Sequence, residues 1–193
     1  SKQPDLGTAL IILFSGLIIL WFVGISRTFF LASTAIILIS APCLWSNLKP
    51  YQKQRILVLL GEGDIKKERY QIEQSKIAIG SGALTGKGFL KGTQNKLAFL
   101  PEDHTDFIFS VICEEFGVIG AIIILILFSL LFSRIILITL QLHNLFEQTI
   151  AIGLLSHLML SVCINIGMVI GILPIVGIPL PLISYGITHL WIN

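Results

Sequence analysis

Residues 116–133, FGVIGAIIILILFSLLFS, form a run without a single charged side chain. A transmembrane helix needs about 20 consecutive, mostly apolar residues. The run reaches this length if it extends back to residue 107 and accommodates Glu114 and Glu115, and Arg134 ends it on the other side. This stretch therefore predicts a membrane-spanning helix over 107–133.

The composition of the whole chain is that of an integral membrane protein. Of its 193 residues, 54% are hydrophobic and 12% are charged, and the mean hydropathy is +0.90. A soluble domain carries about 25% charged residues. Three other uncharged segments predict spans over about 6–26, 28–46 and 148–171. The sequence thus predicts an all-α helix bundle, a single membrane domain with four transmembrane helices and one large loop over about 47–106.

The basic residues indicate how the spans are oriented. Arg27 and Arg134 lie in the two short connections, and short loops rich in Lys or Arg face the cytoplasm. This places the 47–106 loop and the segment over about 172–186, called here the Pro/Gly segment, outside the cytoplasm. Ten of the thirteen Lys and Arg residues lie within the long loop, and they favour the opposite orientation.

Two patterns that could indicate cofactors do not fit. Cys43, Cys113 and Cys163 lie in or beside apolar runs, without the spacing of a disulfide framework or a zinc site. They are predicted to be small buried hydrophobic residues. The glycines between Gly80 and Gly88 lack the spacing of a phosphate-binding P-loop.

The glycine-rich part of the loop remains a candidate for anion binding. Its backbone amides, with the ammonium groups of Lys76, Lys87 and Lys91, could bind an anionic head group. A solvated loop that is attracted to anionic lipid explains the same composition equally well. The residues alone leave both interpretations open.

The sequence PEDHTD, which precedes the 107–133 span, concentrates polar groups at the membrane edge. The group comprises Glu102, Asp103, His104, Thr105 and Asp106. Asp103 or Thr105 could cap the following helix, with Asp106 in its first turn, where the helix dipole favours a negative charge. However, five polar groups exceed the needs of one cap, and ionisable groups at such a depth are candidates for function. His104 could be a metal ligand or a proton carrier.

Polar residues also occur inside the predicted spans. Glu114 and Glu115 need a polar partner or a wet cavity, so each is predicted to belong to an ion pair or to a cavity wall. His157, Ser161 and Asn165 form one stripe, which interhelical hydrogen bonding explains. The non-helical Pro/Gly segment must be buried in protein or line a cavity if it lies at membrane depth.

Several motifs together resemble a known family. QPDLGTA, YQKQR, QSKIAIGSG, GKGFLKGTQ, FLPEDHTDFIF, EEFGVIGA and NIGMVIGILPIVGIPLPLISYG follow one another between residues 3 and 186. In this order and at these intervals they resemble the C-terminal half of the RodA/FtsW/SpoVE proteins, the SEDS (shape, elongation, division, sporulation) family. The elongation type, RodA, fits better than the division type, FtsW. A chain that starts without Met and almost inside a span is accordingly expected to be a fragment.

The resemblance implies a fold and an activity. It implies a ten-helix protein of the bacterial cytoplasmic membrane, in which the four spans are helices six to nine and the 47–106 loop is extracytoplasmic. It implies an inverting peptidoglycan glycosyltransferase that polymerises lipid II during cell-wall elongation and shape maintenance. The implied partner is a class B penicillin-binding protein, which crosslinks the glycan strands; nucleic acid is not an expected partner.

The resemblance also implies which residue is catalytic. Asp106 matches the aspartate of the family's HTDF motif, and a carboxylate can accept the proton of the attacking sugar hydroxyl. The leaving lipid diphosphate needs positive charge, which the basic loop or a divalent cation such as Mg or Mn could supply. The residues expected to bind substrate or support the site are Glu102, His104, Thr105, Lys76, Lys87, Lys91, Glu114, Glu115, Ser184 and Tyr185.

The chain departs from the family pattern at two places. Ile187 follows Ser184, Tyr185 and Gly186 where a second glycine is usual, and GEGDIKKER replaces a segment that usually contains Asp-Pro. These residues alone are therefore expected to have little or no polymerase activity. The alternative functions are a transporter that flips lipid II and a non-catalytic scaffold for the crosslinking enzyme.

Overall fold

Helices make up the regular structure of the described part of the chain. A computed structural model describes residues 6–48, 50, 53, 57–58, 68–92 and 105–185, and no β-strand occurs among them. The all-α class is therefore confirmed for these residues. The helices are α1 (Leu6–Phe22), α2 (Arg27–Asn47), α3 (Glu68–Ser81), α4 (Ile108–Gln141) and α5 (Leu145–Ile170).

By length and composition, α4 and α5 can each cross a membrane, whereas α1 and α2 contain shorter apolar stretches. α4 continues past the predicted end of its span at residue 133 and reaches Gln141. α5 is capped by Asn144, whose side chain accepts a hydrogen bond from the Phe146 amide at 3.0 Å. It ends at Gly171, whose φ of 79° is the left-handed conformation of many helix C-caps.

The packing is centred on α5, which contacts α1, α3 and α4. The tightest part of the apolar core lies where the start of α4, the end of α5 and the Pro/Gly segment meet, at Phe107, Met168, Val169 and Leu180. By contrast, α2 exposes large apolar side chains such as Ile39, with an exposed fraction of 81%.

The long loop contains a helix, α3, that the sequence did not lead us to expect. Its buried residues include Ile72, Ser75 and Ala78, which recur at the three-residue spacing of one helix face, and Gln71 beside them. The Ser75 hydroxyl lies 2.8 Å from the Ser110 hydroxyl of α4 and donates to the Val169 carbonyl of α5 at 2.7 Å. α3 is thus fixed to both long helices.

The Pro/Gly segment runs back across the end of α5 without regular structure. Its side chains Ile175, Val176, Ile178 and Leu180 are buried, as expected for irregular backbone at membrane depth. A Cβ atom on Gly7 of α1 would lie 3.0 Å from the Val176 carbonyl, so the two segments touch there. The structure therefore packs this segment against protein.

The prediction for the cysteines was partly wrong. All three thiols are free, as expected, but only Cys113 is buried, while Cys43 and Cys163 are exposed. Both exposed thiols lie on apolar helices. Their position in apolar runs was compatible with an outward-facing helix surface as well as with a core.

Candidate active site

The turn before α4 carries Asp106, and its side chain is nearly enclosed. The exposed fraction of Asp106 is 8% and that of Phe107 is 1%. α4 begins at Ile108, and its N-cap residue, Phe107, makes no side-chain capping hydrogen bond. The prediction that Thr105 caps this helix, with Asp106 in the first turn, was therefore wrong. The alternative cap, Asp103, lies outside the described residues, as do Glu102 and His104.

Two side chains hold the backbone of this turn from outside. The Asn165 amide donates to the Asp106 carbonyl at 2.9 Å, and the Ser184 hydroxyl donates to the Thr105 carbonyl at 2.7 Å. Ser184 also accepts a hydrogen bond from the Leu180 amide at 2.7 Å. Successive carbonyls of the turn are thus bound to α5 and to the Pro/Gly segment.

The Asp106 carboxylate lies beside the Pro/Gly segment. A Cβ atom on Gly177 would be 3.5 Å from Asp106 Oδ2, and the φ of Gly177 is 71°. An L-residue rarely adopts this φ, so glycine fits both the turn and the nearby carboxylate. The Asp106 carboxylate therefore lies against the backbone of Gly177.

Glu114 forms an ion pair, which was one of the two predicted alternatives. Its Oε1 lies 2.7 Å from Lys87 Nζ; the Glu114 side chain is fully buried and that of Lys87 is 27% exposed. A Cβ atom on Gly92 would come within 2.9 Å of Glu114 Oε2, so the loop backbone lies against the carboxylate. Lys87 is consequently engaged by a protein carboxylate rather than presented as a bare cation.

α4 is interrupted at Gly117, three residues beyond Glu114. Gly117 has φ 67° and ψ −161°, a conformation that only glycine adopts readily. In a regular helix the amides of Val118 and Ile119 would bind the carbonyls of Glu114 and Glu115. The break leaves those two amides and two carbonyls without their helical partners.

The loop over residues 82–92, called here the glycine loop, supplies the missing partners. The amides of Val118 and Ile119 donate to the carbonyls of Ala83 and Leu84, at 3.0 and 3.3 Å. The carbonyls of Glu114 and Glu115 accept from the amides of Lys87 and Gly88, at 3.0 and 2.9 Å. The loop that was a candidate for anion binding thus completes the backbone hydrogen bonding of a broken helix. Irregular backbone at membrane depth requires such compensation.

The other predicted site residues differ in position and exposure. Lys76 is exposed, and its ammonium would lie 2.7 Å from a Cβ atom on Gly171, at the negative end of the α5 dipole. Lys91 and Tyr185 are exposed, whereas Glu115 is buried, with an exposed fraction of 6%. Glu114 lies eight residues after Asp106, which is about 12 Å along the helix axis at a rise of about 1.5 Å per residue. Asp106 and the Lys87–Glu114 pair are therefore two polar centres near the same end of α4.

Among the described residues, no group of three or more His, Cys, Asp or Glu side chains is placed to hold a metal ion. Glu102 and His104 fall outside that search. An apolar groove of about 270 Å³ lies between α1, α5 and the Pro/Gly segment, with Phe14, Ile164 and Val176 among its lining residues. No ionisable residue is among those that line it.

The direct hydrogen bond from Asn165 to the Asp106 carbonyl was not predicted from the sequence. The stripe of His157, Ser161 and Asn165 was predicted to form interhelical hydrogen bonds, but the Ser161 hydroxyl binds the His157 carbonyl of its own helix. Asn165 and Asp106 are 59 residues apart in the chain, and only the packing of α5 against the turn before α4 brings them into contact. The sequence shows a single amide side chain, Asn165, among apolar neighbours of α5. It does not show which group that amide binds.

Comparisons with known proteins agree on one family. The family model described as FtsW/RodA/SpoVE, cell cycle protein, matches residues 1–193. The peptidoglycan glycosyltransferase MrdB of Escherichia coli (strain K12) is 50% identical over 190 residues, which are 96% of this chain and 51% of that protein. The probable peptidoglycan glycosyltransferase FtsW of Coxiella burnetii is 39% identical over 201 residues, which are 99% and 52% of the two chains.

A solved structure shares the fold. It is described by the words "Structural coordination of polymerization and crosslinking by a peptidoglycan synthase complex". The similarity has a TM-score of 0.77 and 31% sequence identity, and covers 97% of this chain and 52% of the other. The chain therefore spans about half the length of the curated relatives and of the structure that it matches.

Proposed function

The chain belongs to the FtsW, RodA and SpoVE family of cell cycle proteins, and from this premise we propose that the complete protein is a peptidoglycan glycosyltransferase. Its proposed reaction is the polymerisation of lipid II into glycan strands. Because the chain spans about half of its relatives, the activity, substrates and partners are proposed for the complete protein. The observation that carries the proposal is the nearly buried carboxylate of Asp106, in a turn whose carbonyls are hydrogen-bonded to Asn165 and Ser184.

In the proposed mechanism, Asp106 is the general base. The acceptor hydroxyl attacks the anomeric carbon of the donor sugar and transfers its proton to the Asp106 carboxylate. The new bond joins the acceptor oxygen to the anomeric carbon, and the bond from that carbon to the lipid diphosphate breaks. A single displacement of this kind inverts the configuration at the anomeric carbon.

The departing group needs positive charge rather than a proton. A lipid diphosphate is already a stable anion, so no second carboxylic acid is required, in contrast to a glycosidase. Since Lys87 is paired with Glu114 at 2.7 Å, the exposed ammonium groups of Lys76 and Lys91 are the better candidates to meet the diphosphate. A divalent cation, Mg or Mn, remains a further candidate.

The proposed location follows from the family and from the substrate. The family consists of integral membrane proteins, and we assign this one to the bacterial cytoplasmic membrane. Asp106 and the glycine loop would face outward, where lipid-anchored donor and acceptor meet at the bilayer edge. The proposed role is cell-wall elongation and shape maintenance with a class B penicillin-binding protein. The solved relative, described as coordinating polymerization and crosslinking, supports such a pairing.

The test is polymerisation of purified lipid II by the complete gene product that contains these residues. Replacing Asp106 by Asn removes the proton acceptor but nearly preserves the shape of the side chain. Loss of a general base lowers rates by about 10²- to 10⁴-fold, and this is the expected loss in kcat. The matched control is Glu147→Gln, which removes an exposed carboxylate from the first turn of α5.

Folding of each variant is checked by thermal unfolding in detergent. Full glycan synthesis by a folded Asp106→Asn variant would exclude Asp106 as the base. Vesicle assays that detect flipping of lipid II without polymerisation would favour a transporter instead. If the wild-type protein neither polymerises nor flips lipid II but stimulates a crosslinking enzyme, the result would favour a non-catalytic scaffold.

A further inference from the structure

Asn165 is a fully buried amide that joins two separate pieces of chain. Its Nδ2 donates to the Asp106 carbonyl at 2.9 Å and to the Ile178 carbonyl at 2.7 Å. The exposed fraction of Asn165 is 0%. One side chain of α5 therefore binds both the turn that carries Asp106 and the Pro/Gly segment that lies against it.

The chemistry of this contact requires a carboxamide. The NH₂ group has two donors on one atom and can serve two carbonyls, whereas a hydroxyl donates only once. The two carbonyls also fix the orientation of the amide, since the reversed amide would place its oxygen against both acceptors. No described residue donates to Asn165 Oδ1. The two bonds that Nδ2 donates are therefore what the amide contributes at this position.

Both partners of Asn165 determine where the Asp106 carboxylate lies. One is the carbonyl of Asp106 itself, and the other belongs to the residue after Gly177, whose Cβ position is 3.5 Å from Asp106 Oδ2. Loss of the amide would free the turn and the segment to move relative to each other. The carboxylate would then shift with respect to Gly177 and the Pro/Gly segment.

We propose that Asn165 is the positioning residue for the Asp106 carboxylate, which it holds in reacting geometry through the backbones of Asp106 and Ile178. This inference rests on the proposed function, in which Asp106 accepts a proton. Asn165 touches no reacting atom and acts through Asp106. Misplacement of a reacting group by about 1 Å lowers a rate by about 100-fold.

The substitution that tests this is Asn165→Leu, which keeps the side-chain size and removes both donors. The expected result is a 10- to 100-fold lower kcat for lipid II polymerisation, with KM within about twofold of wild type. Asn165→Asp is the second variant, because a carboxyl group keeps the shape but has at most one O–H to donate and so cannot serve both carbonyls. Ser161→Ala is the matched control, since Ser161 is buried on the same helix face but binds only the His157 carbonyl of α5.

A second measurement reports the position of Asp106 without using activity. Dicyclohexylcarbodiimide reacts with carboxyl groups in apolar surroundings, and mass spectrometry gives the rate of labelling at Asp106. We expect Asn165→Leu and Asn165→Asp to change this rate at least threefold, and Ser161→Ala to leave it unchanged. Thermal unfolding identifies any variant that fails to fold, and the other Asn165 variant then decides.

The outcomes separate this inference from the proposed function. A kcat within twofold of wild type, or an unchanged labelling rate in a folded Asn165 variant, overturns the positioning role. If Asp106→Asn keeps full polymerisation, the proposed function fails. In that case the labelling rate still decides whether Asn165 positions the carboxylate.

Discussion

The ion pair between Lys87 and Glu114 allows a quantitative prediction about stability. Replacing Lys87 by Met keeps most of the aliphatic chain and leaves the Glu114 carboxylate, which is fully buried, without this cation. At 2.7 Å and an effective dielectric constant of about 20, the attraction that is lost amounts to about 6 kcal/mol before solvation is counted.

Solvation reduces this figure. Removing one partner of a fully buried pair costs about 3–5 kcal/mol. Because the Lys87 side chain is 27% exposed, we expect the lower end of that range, about 3 kcal/mol. At about 2–4 °C per kcal/mol for a chain of this size, Tm should fall by about 6–12 °C.

The assay is thermal unfolding in detergent or nanodiscs, with size-exclusion chromatography to follow the folded fraction. Lys91→Met is the matched control, because Lys91 belongs to the same glycine loop but is exposed. The double variant Lys87→Met, Glu114→Gln removes both charges and should recover part of the loss. Equal Tm values for the two Met variants, or strictly additive effects in the double variant, would refute the reasoning.

Two further predictions concern the backbone break and the α3 contact. Gly117→Ala should lower the free energy of unfolding by at least about 2 kcal/mol, because the Cβ atom meets the Gly86 amide at 2.5 Å and the φ is 67°. Gly16→Ala in α1, where a Cβ atom meets nothing within 4 Å, should be neutral or slightly stabilising in the same unfolding assay. Ser75→Ala should cost about 1–3 kcal/mol through its lost bonds to Ser110 and to α5. Ser81→Ala, which removes a bond within α3 alone, should cost less than 0.5 kcal/mol in chemical denaturation, since surface changes are usually within about that range.

The all-helical class could be predicted because it depends on composition. Long runs without charge leave few alternatives to helices in an apolar medium. α3 was not predicted because its sequence, ERYQIEQSKIAIGS, combines five ionisable residues with scattered isoleucines. Its buried face became apparent only with α4 and α5 beside it, since Ser75 is buried by partners that lie 35 and 94 residues away.

The candidate site was predictable only in part, for a similar reason. The family motif singles out Asp106, but the sequence does not show that Asn165 and Ser184 bind the turn. An ion pair was one of the two alternatives predicted for Glu114, whereas its partner Lys87 was expected to bind substrate or support the site. The interruption of α4 at Gly117 escaped prediction, because single glycines also occur in uninterrupted helices.

At Gly117, groups of the glycine loop replace the helical hydrogen-bond partners of α4, and this replacement also constrains the order of folding. Until the glycine loop docks, the amides and carbonyls at the break lack their native partners, and in an apolar medium each unpaired group costs several kcal/mol. The turns of α4 around the break and the glycine loop should therefore gain their protection together, as one cooperative unit. Since the loop precedes α4 in the chain, it is synthesised first and is available when the helix inserts. Hydrogen exchange at Val118 and Lys87 should accordingly report the same opening event.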